Sequence, residues 1–190
     1  MAKVLFITHP EVVIDPAVPV PRWHLSETGI RRMRAFAATP EAADLRAVWA
    51  SGETKAIEAA GLLAGRFGLA VMIEAALHEN DRSATGFLPP AEFQAVANAF
   101  FASPEASVRG WERAVDAQAR IVAAVGRVLA AAPPGDIAIV AHGGVGTLLL
   151  CACLGQPISR ALDQPHEGHF WAFERAGRQV LHGWRSIAPR

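Results

Sequence analysis

The sequence predicts an α/β fold, a three-layer α/β/α sandwich built on a mostly parallel central sheet. Three observations carry this expectation. Short apolar runs at Lys3–Thr8, Leu45–Ala50 and Asp136–Ala141 read as buried strands. Segments with apolar residues at helical spacing lie between them. Strands that alternate with helices pair in parallel and bury both sheet faces. The 190 residues, 52% of them hydrophobic, suffice for one full-sized core. No internal repeat or linker divides the chain, so residues 1–190 are expected to form a single domain.

Each element has a local reason. Lys3–Thr8 is an apolar run ending at His9, and residues 10–21 carry four prolines and no helical period, which makes a loop. Ser26 is a natural N-cap for a helix continued by Ile30, Met33 and Ala37 up to Pro40. Leu45–Ala50 is a strand closed by Ser51-Gly52. Residues 53–67 form a helix with Ile57, Ala60, Leu63 and Ala64 on one face, ended by Gly68. Residues 69–73 read as a strand, residues 77–90 as a polar loop, and residues 91–102 and 108–131 as helices. Pro133-Pro134-Gly135 breaks the chain before Asp136–Ala141, the clearest strand, and a helix follows over residues 145–154. The tail, residues 169–187, alternates as two strands joined at Ala176-Gly177.

Composition narrows the function. Eighteen basic residues balance eighteen acidic ones, which argues against a dedicated nucleic-acid or polybasic membrane surface. No stretch reaches the length of a membrane span, and the first strand is too short to be the core of a signal peptide, so a cytoplasmic location is expected. Cys151 and Cys153, two apart in an apolar segment, read as free buried thiols. Sixteen of the basic residues are arginine and only Lys3 and Lys55 are lysine.

Two histidines stand at equivalent places. His9 ends the first strand and His142 ends the strand after the proline break. Open α/β sheets bind ligands at the carboxyl ends of their strands, so one pocket can hold both imidazoles. Gly143 and Gly144 allow close backbone approach, and the helix after them offers free N–H groups to an anion.

These residues resemble the histidine phosphatase, or phosphoglycerate mutase-like, superfamily. The family's Arg-His-Gly and Ser-His-Gly-Gly strand ends are matched by Thr8-His9-Pro10 and Ala141-His142-Gly143-Gly144. Its Leu-Thr-Xaa-Xaa-Gly helix start is similar to Leu25-Ser26-Glu27-Thr28-Gly29, and its Ser-Ser-Pro-Xaa-Xaa-Arg-Ala segment to Ala50-Ser51-Gly52-Glu53-Thr54-Lys55-Ala56. Its Leu-Xaa-Glu appears as Leu77-His78-Glu79, and its Gly-Glu-Ser segment is similar to Pro104-Glu105-Ala106-Ser107. The resemblance implies a metal-independent phosphatase that needs no cofactor and acts on a small phosphate ester or on phosphohistidine. His9 is then the nucleophile. Glu79 is a general acid kept protonated by apolar burial, and His142 stabilises the phosphoryl group. Ser51, Gly143, Thr8, Lys55, Arg22 and Arg82 are the expected substrate-binding residues.

Three departures bear on activity. Thr8 and Lys55 replace the family's two phosphate-gripping arginines, and Pro10 replaces its glycine. A lost hydrogen bond to a charged group is worth about 1.5–3 kcal/mol, or roughly 10- to 150-fold in rate. The pocket is therefore either degraded to binding alone or rebuilt, with Lys55, Arg22 and Arg82 supplying charge. A mutase would need longer insertions than this chain has. A metal site of two His and one Glu is a third reading, and it lacks the usual local ligand spacing.

Overall fold

The computed structural model describes residues 2–189. Six strands form one sheet in the order β3-β2-β4-β1-β5-β6, where β1 is Lys3–Thr8, β2 Leu45–Ala50, β3 Val71–Ile73, β4 Asp136–Ala141, β5 His169–Glu174 and β6 Val180–Ser186. β1 to β4 are mutually parallel and β5 and β6 run antiparallel, so the sheet is mixed with a parallel centre.

Helices cover both faces because the strands alternate their apolar side chains. Leu5 and Ile7 of β1 point into one core against α1 (Glu27–Ala37) and α2 (Thr54–Arg66), with Met33, Phe36 and Leu63. Val4 and Phe6 point into the other, against α4 (Ala114–Ala131) and α5 (Gly143–Cys153), with Ile121, Val125 and Leu149. A smaller cluster of Val96, Phe100, Phe101 and Trp111 joins α3 (Pro90–Ala102) to the start of α4. No helix among the described residues is long and apolar enough to cross a membrane.

The termini of the helices follow local chemistry. Ser26 Oγ accepts the Gly29 N–H at 3.1 Å and caps α1. α2 ends in a left-handed Gly68 (φ 64°), with Leu69 N–H donating back to Ala64 O at 3.0 Å, the hydrogen bond of a Schellman turn.

Four expectations are corrected. Ile57 is exposed; the buried face of α2 runs through Ala56, Ala59, Ala60 and Leu63. The helix expected from residue 108 begins at Ala114, because Arg109 (φ 53°) and Gly110 (φ 82°) are left-handed and break it. α5 starts at Gly143, two residues early. The strand at residues 69–73 is shorter, Val71–Ile73.

Candidate active site

The parallel centre of the sheet gathers the site. Thr8, Ala50 and Ala141 are the last residues of β1, β2 and β4, so His9, Ser51 and His142 each follow a strand directly. The ladder continues past the strand ends: His9 N–H donates to Ala141 O and Ser51 N–H to Val140 O, both at 3.1 Å. The His9 and His142 rings meet edge to face with centroids 5.3 Å apart.

One His9 nitrogen has no hydrogen-bond partner among the described residues. Its Nδ1 lies 2.9 Å from Pro10 O, an acceptor only, so Nδ1 carries the proton and Nε2 keeps its lone pair. Burial, then the nearby Lys55 charge, lowers the imidazole from 6.5 to about 4. His9 is therefore the neutral free base at neutral pH.

His142 is fully buried, which holds its pKa well below the ordinary value. Its Nε2 shares a 2.7 Å hydrogen bond with Ser51 Oγ, and its Nδ1 has no partner among the described residues.

Glu53 is the residue that sequence reasoning missed. It stands at the N-terminus of α2, where it reads as an ordinary first-turn carboxylate. In the structure its Oε1 lies 3.3 Å from His142 Nε2 and accepts the Glu79 N–H at 3.0 Å. Its Oε2 takes a 2.5 Å hydrogen bond from Lys55 Nζ. Burial opposes the charge, but His142 and the Lys55 ammonium outweigh it and hold the carboxyl at about 2. Because burial keeps His142 neutral near neutral pH, Lys55 is the standing partner. An acidic residue two positions before a lone lysine was the only sequence signal.

The expected binding residues divide. Lys55 is buried, and its ammonium is spent on Glu53 and on Val20 O at 2.9 Å. Ser51 orients His142. Thr8 is buried and bonded to Gln164 Oε1 at 2.7 Å and to the backbone of His169. Arg82 stacks over Phe93 (5.0 Å) and Trp111 (5.6 Å) and lowers both imidazole pKa values slightly through its charge. Arg22 does not join them; it is exposed on a 3-10 turn, and among the described residues its side chain makes no hydrogen bond or ion pair to a site residue.

Glu79 sits differently from the expectation of an apolar enclosure. Its carboxylate is partly exposed and accepts N–H groups from Gly144 (3.1 Å), Val145 (3.0 Å) and Asn80 (3.1 Å). It thus fills two of the α5 N-terminal donors expected to face an anion, and the Gly143 N–H has no partner among the described residues. A side chain at Gly144 would strike Glu79 Oε1, since a Cβ there falls 2.8 Å away.

A cavity of about 800 Å³ opens beside this cluster. The loop from Pro16 to Pro21 forms one wall, Phe87 and Arg82 another, and Glu53 and Glu79 its inner end. Trp23 closes the loop from behind, its indole N–H donating to Asp15 O and its ring packed on Phe87 at 5.6 Å. The His169 and His166 rings meet edge to face at 4.4 Å and do not line this cavity, and His24 pairs with Glu58. Among the described residues no group of three His, Cys, Asp or Glu has the arrangement of a metal site.

The sheet order and the paired strand-end imidazoles define the class, an α/β protein with a histidine-centred site at the carboxyl ends of parallel strands. Residues 20–174 match the family model of the histidine phosphatase superfamily, branch 1. The chain belongs to that superfamily. No curated protein matches it. Among solved structures, mycobacterial glucosyl-3-phosphoglycerate phosphatase in complex with inorganic phosphate is similar at 22% identity, TM-score 0.79, over 100% of both chains. Bacillus stearothermophilus YhfR is similar at 21% identity and TM-score 0.79, covering 96% of this chain and 95% of that one. Alpha-ribazole phosphatase from Shigella flexneri is similar at 18% identity and TM-score 0.72, covering 99% and 98%. At these identities the likeness is one of fold.

Proposed function

We propose that the protein is a metal-independent phosphatase that forms a phosphohistidine on His9. The observation that carries this reading is the free base at His9: its proton is on Nδ1, held by Pro10 O, and its Nε2 lone pair is available beside His142. In the first step Nε2 bonds to phosphorus as the ester P–O bond breaks, and Glu79 passes a proton to the leaving oxygen. The proton that Glu79 passes on in the first step is the one it recovers from water in the second. In the second step water attacks phosphorus, the P–N bond breaks, Glu79 takes the water's proton and His9 returns to its neutral form. His142 holds phosphoryl oxygens through both steps, with Ser51 fixing its ring. The substrate is a small phosphate ester or phosphohistidine, and the cavity beside Glu79 houses the leaving group. Inorganic phosphate and vanadate bound to a mycobacterial relative of the same fold support a phosphate site here.

A second reading, a module that binds a phosphorylated ligand without turnover, is favoured by one observation: the Lys55 charge is already taken up by Glu53. Chelator-treated protein assayed with an aryl phosphate separates the two. Turnover that disappears in His9→Ala, with an acid-labile phosphoryl group trapped on His9, supports the phosphatase. Phosphate binding without turnover on any of a panel of esters and phosphohistidine overturns it in favour of the second reading.

A further inference from the structure

Thr8 stands where the family resemblance places an arginine, yet its side chain is not idle. The hydroxyl accepts the His169 N–H at 3.0 Å. Its own proton then goes to Gln164 Oε1 at 2.7 Å rather than to the more distant His169 O at 3.2 Å. This fixes the carboxamide with oxygen toward Thr8 and nitrogen away from it. Gln164 Nε2 lies over Gly143; a Cβ on Gly143 would fall 2.3 Å from that nitrogen. The turn carrying Gln164 is itself stapled to α5, since Asp163 Oδ1 accepts both the Gln164 N–H and the Thr147 hydroxyl, each at 2.8 Å.

Three polar groups have no partner among the described residues: Gln164 Nε2, the Gly143 N–H and Nδ1 of the preceding residue, His142. The His142 ring is fully buried. Two of the three are donors by composition and the third belongs to the imidazole facing His9.

We propose that Gln164, oriented by Thr8, is a substrate-binding residue whose carboxamide Nε2 donates to a phosphoryl oxygen in place of the missing arginine. The inference rests on the phosphatase reading and deepens it. It answers the loss of charge at Thr8 with a neutral donor rather than with another cation. It also makes Thr8 a positioning residue, acting through the carboxamide.

Binding of orthovanadate, measured by calorimetry, tests it. Gln164→Leu keeps the bulk and removes the donor, so affinity falls about 10- to 150-fold, the loss of one hydrogen bond to a charged group. Thr8→Val, which frees the carboxamide to rotate, weakens binding in the same direction. Thr8→Arg combined with Gln164→Ala puts a guanidinium in the vacated space and regains most of the affinity, which a merely structural role for Gln164 would not allow. Unchanged affinity in Gln164→Leu overturns the assignment while leaving the phosphatase reading intact. Loss in Gln164→Leu without recovery in the Thr8→Arg, Gln164→Ala protein also overturns it. If Gln164→Leu does not fold, wild-type affinity in Thr8→Val does so instead. A parent protein that binds neither orthovanadate nor phosphate overturns both readings together.

Discussion

Neutralising Glu53 should uncouple the charges at the base of the pocket. The Glu53 carboxylate is 9% exposed and the Lys55 ammonium 4%, with 2.5 Å between them. Folding takes the carboxyl from 4.5 to about 2, a difference worth about 3 kcal/mol in favour of the ionised native state at neutral pH. Glu53→Gln therefore lowers the unfolding free energy by about 3 kcal/mol, because Lys55 is left buried without its counter-charge. Lys55→Met strands Glu53 in turn and has a similar effect. Removing both leaves no stranded charge, so the double variant loses less than the sum of the singles by at least ~1.5 kcal/mol. The pH dependence has a definite sign. A depressed carboxylate contributes stability that is full above 4.5 and lost as pH falls toward 2. The gap between parent and Glu53→Gln thus shrinks to about half by pH 3. Urea denaturation of the four proteins at pH 7 and pH 3 measures both effects. Additive single losses, within about 0.5 kcal/mol, would refute the coupling, and a gap of equal size at the two pH values would refute the titration.

Three further outcomes follow from the same geometry. The His9 imidazole, followed by NMR, should titrate near pH 4; a midpoint at or above 6 contradicts the free-base nucleophile. Its depressed pKa also means that the stability it contributes is complete above 6.5 and declines as pH falls toward 4. Gly146→Ala should destabilise by about 1–2 kcal/mol despite its better helix propensity. The new Cβ would lie 2.7 Å from Phe6 and 2.9 Å from Trp184 in a packed core, and equal or greater stability in urea would contradict that. Arg22→Ala should leave kcat/KM for an aryl phosphate within twofold, since the side chain is exposed and outside the cluster; a tenfold loss would place Arg22 in the site after all.

The framework was legible in the sequence where patterns are local. Apolar runs ending in His9 and His142 located two parallel strands and the end of the sheet that matters, and Ser26 located the start of α1. The tail strands were found from alternation, although the left-handed residue in their turn is Arg178 (φ 55°) rather than Gly177. What stayed hidden depends on contacts distant in the chain. Glu53 reads as a helix N-terminus until folding sets it against His142, 89 residues away. Gln164 carries no signal at all, because its orientation comes from Thr8, 156 residues earlier. The free N–H groups expected after Gly143 were largely taken, because an acidic side chain from a separate loop reaches the helix end first.

The ladder between β1 and β4 pairs Thr8 with Ala141, and the two histidines follow at the next step. The separation of their rings is thereby a property of strand spacing, which is nearly invariant among sheets at about 4.8 Å. The cavity wall, by contrast, is made of loop residues from Pro16 to Pro21 and around Phe87. Insertions or replacements there can reshape what the pocket admits without moving the paired imidazoles. Under the proposed mechanism, selection for new substrates is free to act on the loops while the histidine pair is inherited unchanged with the sheet.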